Sequence, residues 1–278
     1  MELTKVGTQP IVLLAIGAAL AFILPVAGAV IWKVKKKEPF TSILAGAATF
    51  LLFVIVLEKP IQNILLFPTQ MGLPDHSVSS YVNARPVLLS LLAGLFPGVF
   101  EETGRLIAYK TVLRNRRHRE TSVSHGIGHG GFEVMYILGA TYIAYIAYAV
   151  MINSGTFGTI VDQVAARLPD QVEALYAQAN EIGKFTAGTL FLNFIERIFA
   201  VLFHIGASIL VFYAVKDRKK FWLYPLAVVL HTAMDSLAAL YLFEVIRIPA
   251  WALETVIGVF GIAVFCGAYF LLYRKDGE

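Results

Sequence analysis

Seven stretches of the chain are apolar over the ~20 residues that a helix needs to cross the hydrocarbon core of a bilayer. With 58% hydrophobic and 15% charged residues, the chain is also far more apolar than an ordinary soluble domain. The sequence therefore predicts an all-α membrane protein, a bundle of seven transmembrane helices. The predicted spans lie near residues 9–32, 40–66, 86–111, 121–152, 186–215, 220–243 and 248–273.

The basic residues are distributed so that they predict the orientation of the bundle. Four clusters, which contain 15 of the 23 Lys and Arg residues, follow the first, third, fifth and seventh spans: Lys33–Lys37, Lys110–Arg119, Lys216–Lys220 and Arg274–Lys275. Short loops rich in Lys and Arg remain on the cytoplasmic side. We therefore expect the N-terminus outside and the C-terminus in the cytoplasm. The net charge of +4 is then a topology signal and gives no reason to expect a nucleic-acid partner.

The one sizeable exterior segment, about 153–185, has apolar residues at helical spacing among acidic ones. It predicts an exterior interfacial helix, either a lid over the bundle or a tether at the outer surface. No internal repeat or linker divides the chain. We predict a single transmembrane domain, 1–278, with its motif-bearing core at about 86–243.

Ionisable side chains occur inside four of the predicted spans. Each such group adds at least ~2.5 kcal/mol to the free energy of membrane insertion, so several in one bundle indicate a functional polar chamber. At ~1.5 Å per residue, most of them lie ~15 to 21 Å from the cytoplasmic ends of their helices, in one layer. Spacings of four residues place them on one face of each helix. The set is Glu101, Glu102 and Arg105; His129 and Glu133; Glu196, Arg197 and His204; His231 and Asp235.

This donor set predicts water activation, with Zn²⁺ as the expected cofactor. The lone Cys266 cannot build a cysteine metal site, whereas imidazole and carboxylate ligands suit zinc. His204 and His231 are the leading candidate ligands, with Glu133 or Asp235 as a carboxylate ligand or an orienting group.

One residue of the Glu101–Glu102 pair is expected to be the general base. Because Arg105 shares a helix face with Glu101, we expect those two to pair and favour Glu102 as the base. Arg197 is expected to balance the charge of Glu196. By contrast, we expect Glu58 to mark a kink or frayed end of the second span, and His125 to be an ordinary residue near the cytoplasmic edge.

The ordered motifs resemble those of the YhfC family of intramembrane metalloproteases, over roughly residues 95–240. These motifs are Glu101-Glu102-Thr-Gly-Arg105, Gly-Ile-Gly-His129-Gly-Gly-Phe-Glu133, Glu196-Arg197 with Phe203-His204, and His231-Thr-Ala-Met-Asp235. That family is similar to the PrsW proteases and to the wider CAAX-protease and bacteriocin-processing (CPBP) group. His129 stands where the PrsW pattern has Phe, which leaves open whether His129 joins the metal ligands.

The resemblance implies a multi-pass bacterial plasma-membrane peptidase that cleaves a membrane-protein or lipid-linked peptide substrate. It also implies either a metal-bound water or a metal-free water activated by Glu and held by His. Two other classes compete: a proton- or cation-coupled transporter, which also places Glu, Asp and His at the midplane, and a catalytically inactive binding protein. Seven spans without a detectable repeat argue against a transporter.

Overall fold

A computed structural model describes residues 3–277, and all regular elements within this range are helical. Seven of its helices are long and apolar enough to cross a membrane, and each lies within four residues of a predicted span. The sequence prediction of an all-α bundle is thus confirmed. The ten helices are α1 (Thr8–Lys36), α2 (Phe40–Leu66), α3 (Ser77–Asn83), α4 (Pro86–Lys110), α5 (Glu120–Ser154), α6 (Gly158–Arg167), α7 (Val172–Ile182), α8 (Ala187–Lys216), α9 (Leu223–Leu242) and α10 (Ala250–Tyr273).

Local sequence accounts for where several of these helices begin and end. Helix α4 begins with Pro86, whose missing N–H is not needed in the first turn. The Thr186 side chain accepts a 3.1 Å hydrogen bond from the Thr189 N–H and so caps α8. Helix α1 ends in lysines, which favour the negative end of the helix dipole, and then at Lys37 with φ of 55°.

Helix α8 lies at the centre of the bundle and is the most deeply buried of the seven spans. Helix α4 packs along α9, and α2 packs along α5. The α2–α5 contact is very close because Gly46 and Gly128 lie in it. A Cβ atom at Gly46 would overlap the His125 carbonyl oxygen, and one at Gly128 would overlap the Ile43 carbonyl oxygen. Small residues on both helices therefore permit this close approach.

Three spans contain π-helical stretches that the sequence did not predict. Phe50–Glu58 lies in α2, Met135–Ala140 in α5 and Tyr269–Tyr273 in α10. A π-helical turn inserts an extra residue and changes the direction in which the following side chains point. In α2 the stretch ends at Glu58, whose side chain is fully buried.

The segment predicted as one exterior helix is helical, but it forms two helices, α6 and α7. They are separated by a 3-10 turn at Pro169–Gln171. Proline disfavours helical geometry in the residue before it and lacks an N–H, so the helix is interrupted at Leu168. Helix α7 buries Leu175 and Ile182 in an apolar cluster with Leu14 and Tyr142. The segment is thus packed onto the end of the bundle.

Candidate active site

Four spans bring their ionisable side chains into one buried group near the middle of the bundle. Helix α4 contributes Glu101, Glu102 and Arg105, and α5, α8 and α9 contribute imidazoles. All of these side chains are ionisable, yet they are almost completely shielded from solvent. Their exposed fractions are 5% for Glu101, 0% for Glu102, 0% for Arg105, 0% for His129, 8% for Glu133, 3% for His204 and 1% for His231.

Glu101 lies at the centre of this group. Its Oε2 atom accepts a 2.8 Å hydrogen bond from His129 Nε2 and lies 3.5 Å from Arg105 Nη2. The same oxygen is 3.9 Å from His204 Nδ1 and 3.9 Å from His231 Nε2. One carboxylate oxygen therefore faces three imidazoles carried by three different helices.

Glu102 has different surroundings, because neighbouring residues on a helix point ~100° apart. Its Oε1 atom accepts hydrogen bonds from Arg105 Nη1 at 2.5 Å and from His231 Nδ1 at 2.7 Å. The sequence argument paired Arg105 with Glu101. In the structure the guanidinium contacts both carboxylates and is nearer to Glu102.

The contact with Glu102 orients the His231 ring. With the Nδ1 hydrogen donated to Glu102, the Nε2 lone pair is directed towards Glu101 and Asp235, whose Oδ2 atom is 3.4 Å away. Carboxylate–histidine pairs of this kind fix the tautomer of metal-binding imidazoles in other proteins. Glu102 and His231 form such a pair.

His204 is held from both sides. A guanidinium can only donate, so His204 Nδ1 accepts the 2.7 Å hydrogen bond from Arg105 Nη2. On the other side of the ring, His204 Nε2 forms a close ion-pair contact with Glu133 Oε2. Glu133 in turn accepts a 2.7 Å hydrogen bond from Arg197, which also contacts Glu196 as the sequence predicted.

Three of these residues could hold a metal ion. Ligand atoms of Glu101, His204 and His231 all lie within 4.8 Å of one another, and this is the one such group among residues 3–277. His231 Nε2 faces the carboxylates of Glu101 and Asp235, whereas an ion at His204 Nδ1 would have to replace Arg105 as its partner. Two imidazole nitrogens and a carboxylate oxygen fit zinc. His129 and Glu133, which were also candidate ligands, lie outside this group: His129 contacts Glu101 and His204, and Glu133 contacts His204.

Two further polar residues, to which the sequence assigns no chemistry, are buried beside the site. His125 is fully buried between Thr49 Oγ1 and Ser208 Oγ, each 3.2 Å away. It precedes His129 by four residues, so the helical spacing that selected His129 also pointed to it. Glu58 is fully buried, and neither carboxylate oxygen has a hydrogen-bond partner within the described chain. The sequence feature that pointed to the burial of Glu58 was its position inside a predicted span.

Seven membrane-spanning helices around a buried Glu/His/His group define a multi-pass membrane protein with a candidate catalytic centre. The family model described as "YhfC intramembrane metalloprotease" matches residues 20–257, and the chain belongs to this family. It is 31% identical over 258 residues to the "Uncharacterized membrane protein YhfC" of Bacillus subtilis (strain 168), covering 91% of this chain and 93% of that relative. No solved structure matches the chain. The protein is therefore a multi-pass bacterial membrane protein.

Proposed function

We propose that the protein is an intramembrane peptidase that hydrolyses a peptide bond of a membrane protein or a membrane-anchored peptide. The observation that carries this proposal is the convergence of Glu101, His204 and His231 in one buried group. A carboxylate among imidazoles is suited to taking a proton from water and passing it on. The family description supports the same reaction class.

We assign water activation to Glu101. Of the site's carboxylates, Glu102 accepts a short hydrogen bond from Arg105 and Glu133 accepts one from Arg197, so both are tied to a guanidinium. Glu101 is 3.5 Å from Arg105, too far for a short bond, and it faces the imidazoles. It would remove a proton from water as the water oxygen attacks the scissile carbonyl carbon. The same proton would then go to the leaving amine as the C–N bond breaks.

The donor set fits a zinc ion held by Glu101, His204 and His231. A zinc ion at this position would supply Lewis acidity, which lowers the pKa of water and polarises a carbonyl. A carboxylate has two oxygens, so Glu101 can contact an ion through one oxygen and accept a proton through the other. Glu102 would hold His231 in place around it through Nδ1, and Glu133 would hold His204 through Nε2.

A groove on the side of the bundle provides a route for the substrate. It has a volume of about 280 Å³ and lies between α1, α5 and α8, lined mainly by apolar side chains such as Phe194 and Ile198. Arg197 is the charged residue of its lining, and it contacts Glu133, which contacts His204. An apolar groove that ends at a buried polar site suits an extended segment entering from the lipid, since a helical substrate hides its carbonyls in its own hydrogen bonds.

The test is a comparison of membrane proteomes from bacteria that carry the wild-type protein or the Glu101→Gln variant. We expect an uncleaved membrane protein to accumulate only with Glu101→Gln. The matched control is Glu181→Gln, which removes an exposed carboxylate from α7 and should leave the proteome unchanged. The proposal would be wrong, and a transporter would be supported, if neither strain showed cleavage and the protein catalysed ion-dependent uptake into vesicles that Glu101→Gln abolished.

Metal content gives a second, independent readout. Purified wild-type protein is expected to contain close to one zinc per chain, and the His204→Ala/His231→Ala double variant to lose it. The control is His118→Ala, which removes an exposed imidazole from the loop after α4. Activity that persists in metal-free wild-type protein would instead support the Glu-activated, metal-free route.

A further inference from the structure

A second polar site lies at the other end of α4, away from the buried carboxylates. It is a pocket of about 520 Å³ between the end of α4, the loop that follows it, and the α8–α9 connection. Four cationic side chains line it: Lys110, Arg114, Arg117 and Arg218. We call these four residues the basic pocket.

No carboxylate neutralises the basic pocket. None of its four cations forms an ion pair with any residue between 3 and 277. Asp217, which precedes Arg218 in the chain, accepts a hydrogen bond from the Lys219 N–H and lies 3.9 Å from Lys220. Other cations at this end are paired, such as Arg119 with Glu120 and Lys216 with Asp276.

The loop that carries two of the arginines is held in a fixed shape. Leu113 is 2% exposed, and its N–H donates to the Ala108 carbonyl at 2.9 Å. The Arg116 N–H then donates to the Leu113 carbonyl at 2.8 Å. The neighbouring guanidiniums therefore converge on one pocket without a large loss of loop entropy on binding. Membrane orientation requires basic residues in the cytoplasmic loops, but it does not require them to line one cavity.

Apolar side chains border the same pocket. Phe221 lines it and is 45% exposed, with Lys110 Nζ 5.3 Å from its ring centroid. The next residue in the chain, Trp222, is 60% exposed, and Val112 in the arginine loop is 75% exposed. Exposed aromatic residues at the ends of spans lie at the membrane–water interface. The ligand is therefore expected to carry both a negative headgroup and apolar chains.

We propose that the basic pocket binds the phosphate headgroup of an anionic phospholipid. Guanidinium groups bind phosphate oxygens in a two-pronged arrangement, and clusters of cations between helix ends are suited to acidic lipid headgroups. The lipid would bridge α4, α8 and α9, the helices that also carry Glu101, His204 and His231. This inference does not depend on the proposed peptidase activity.

The experiment measures lipid binding by the full-length protein purified in detergent, using short-chain phosphatidylglycerol as the probe. We expect phosphatidylglycerol to bind and to raise the melting temperature, and phosphatidylcholine to do neither. The triple variant Arg114→Gln/Arg117→Gln/Arg218→Gln is expected to bind phosphatidylglycerol about tenfold more weakly or worse. The triple variant with Lys at the same three positions keeps the charge and should retain most of the binding.

The matched control is Lys35→Gln/Lys36→Gln/Lys37→Gln, which removes the same number of charges from the end of α1. These lysines do not line the pocket, so phosphatidylglycerol should bind this variant as it binds the wild type. Equally weakened binding by the Arg→Gln triple variant and by this Lys→Gln control would overturn the proposal, because general surface charge would then explain the lipid binding. Binding of inorganic phosphate as tight as that of phosphatidylglycerol would overturn the lipid assignment in favour of a soluble phosphate ligand.

Discussion

Glu101 and Glu102 are neighbours in the chain, yet the structure gives them different partners. Glu101 faces His129, His204 and His231, whereas Glu102 is enclosed by Arg105 and His231. Sequence spacing identified both residues but could not assign their roles. The i, i+4 rule paired Arg105 with Glu101, although a long guanidinium also reaches the residue three positions away. Such contacts depend on how each helix is rotated relative to its neighbours. Residue spacing within one helix gives no information on that rotation.

The two carboxylates are therefore expected to respond differently to substitution. Glu101→Gln should abolish hydrolysis and leave the melting temperature nearly unchanged, since its oxygen mainly faces imidazoles. Glu102→Ala should lower the free energy of unfolding by about 3 to 5 kcal/mol, because it leaves the fully buried Arg105 without its closest carboxylate. Thermal melts and cleavage assays on the same preparations measure both effects.

The control for this pair is Glu181→Ala, which breaks an exposed ion pair with Lys184 and should change stability by only about 0 to 1 kcal/mol. The opposite pattern, in which Glu102→Gln abolishes cleavage and Glu101→Gln does not, would restore Glu102 as the base favoured from the sequence.

Glu58 gives the second prediction at this scale. It is fully buried, its two oxygens have no hydrogen-bond partner in the described chain, and its one ion pair is the 3.7 Å contact with Lys59. It also interacts electrostatically with Glu101 and Asp235, which are acidic as well. Glu58→Gln removes the charge at nearly the same volume, so we expect the free energy of unfolding to rise by about 1 to 3 kcal/mol. A chemical or thermal unfolding series in one detergent measures this change, and a lower stability than the wild type would contradict it.

At the scale of helices, the seven spans were predictable because a bilayer requires ~20 apolar residues whatever their tertiary contacts. The π-helical stretches in α2, α5 and α10 were not, since they depend on how a helix packs against its neighbours. Apolar periodicity predicts one helix in the exterior segment, whereas Pro169 interrupts it, because proline acts through the local backbone and not through the apolar pattern. For the buried Glu/His group, the sequence predicts the depth of each residue in the membrane. The direction of each side chain depends on how the helices pack.

The α2–α5 contact provides the prediction at this scale. Gly128 lies beside His129 and directly against the Ile43 carbonyl, so Gly128→Ala must push α2 and α5 apart. We expect a loss of about 1 to 3 kcal/mol in the free energy of unfolding, together with reduced activity through displacement of His129. Gly28→Ala is the matched control, because a Cβ there meets nothing within 4 Å. That substitution should instead be neutral or stabilising by about 0.5 to 1 kcal/mol in a helix. Equal effects of both variants on melting temperature would rule out the close contact as the cause.

At the scale of the whole molecule, the two proposed sites lie at different heights along the helix bundle. The Glu/His group lies near the middle of the bundle, the basic pocket lies at the end where α4 and α8 terminate, and α6 and α7 lie at the opposite end. An odd number of crossings is expected to place the start of the first span and the end of the last span on opposite sides of the membrane. The sequence predicts which side is which through its basic loops, and helix packing alone carries no such information.

Orientation can be measured by labelling single cysteines in intact cells. Cys266 is first replaced by alanine, and one cysteine is then introduced either at Asp162 in α6 or at Lys35 at the end of α1, both exposed positions. With the N-terminus outside, a membrane-impermeant maleimide should label position 162 in intact cells and position 35 only after the cells are opened. The basic clusters predict this result. An inverted bundle would place 15 of the 23 Lys and Arg residues outside, whereas basic loops remain on the cytoplasmic side. Labelling of position 35 in intact cells would invert the bundle and place the basic pocket at the outer surface, where its phospholipid ligand would have to come from the outer leaflet.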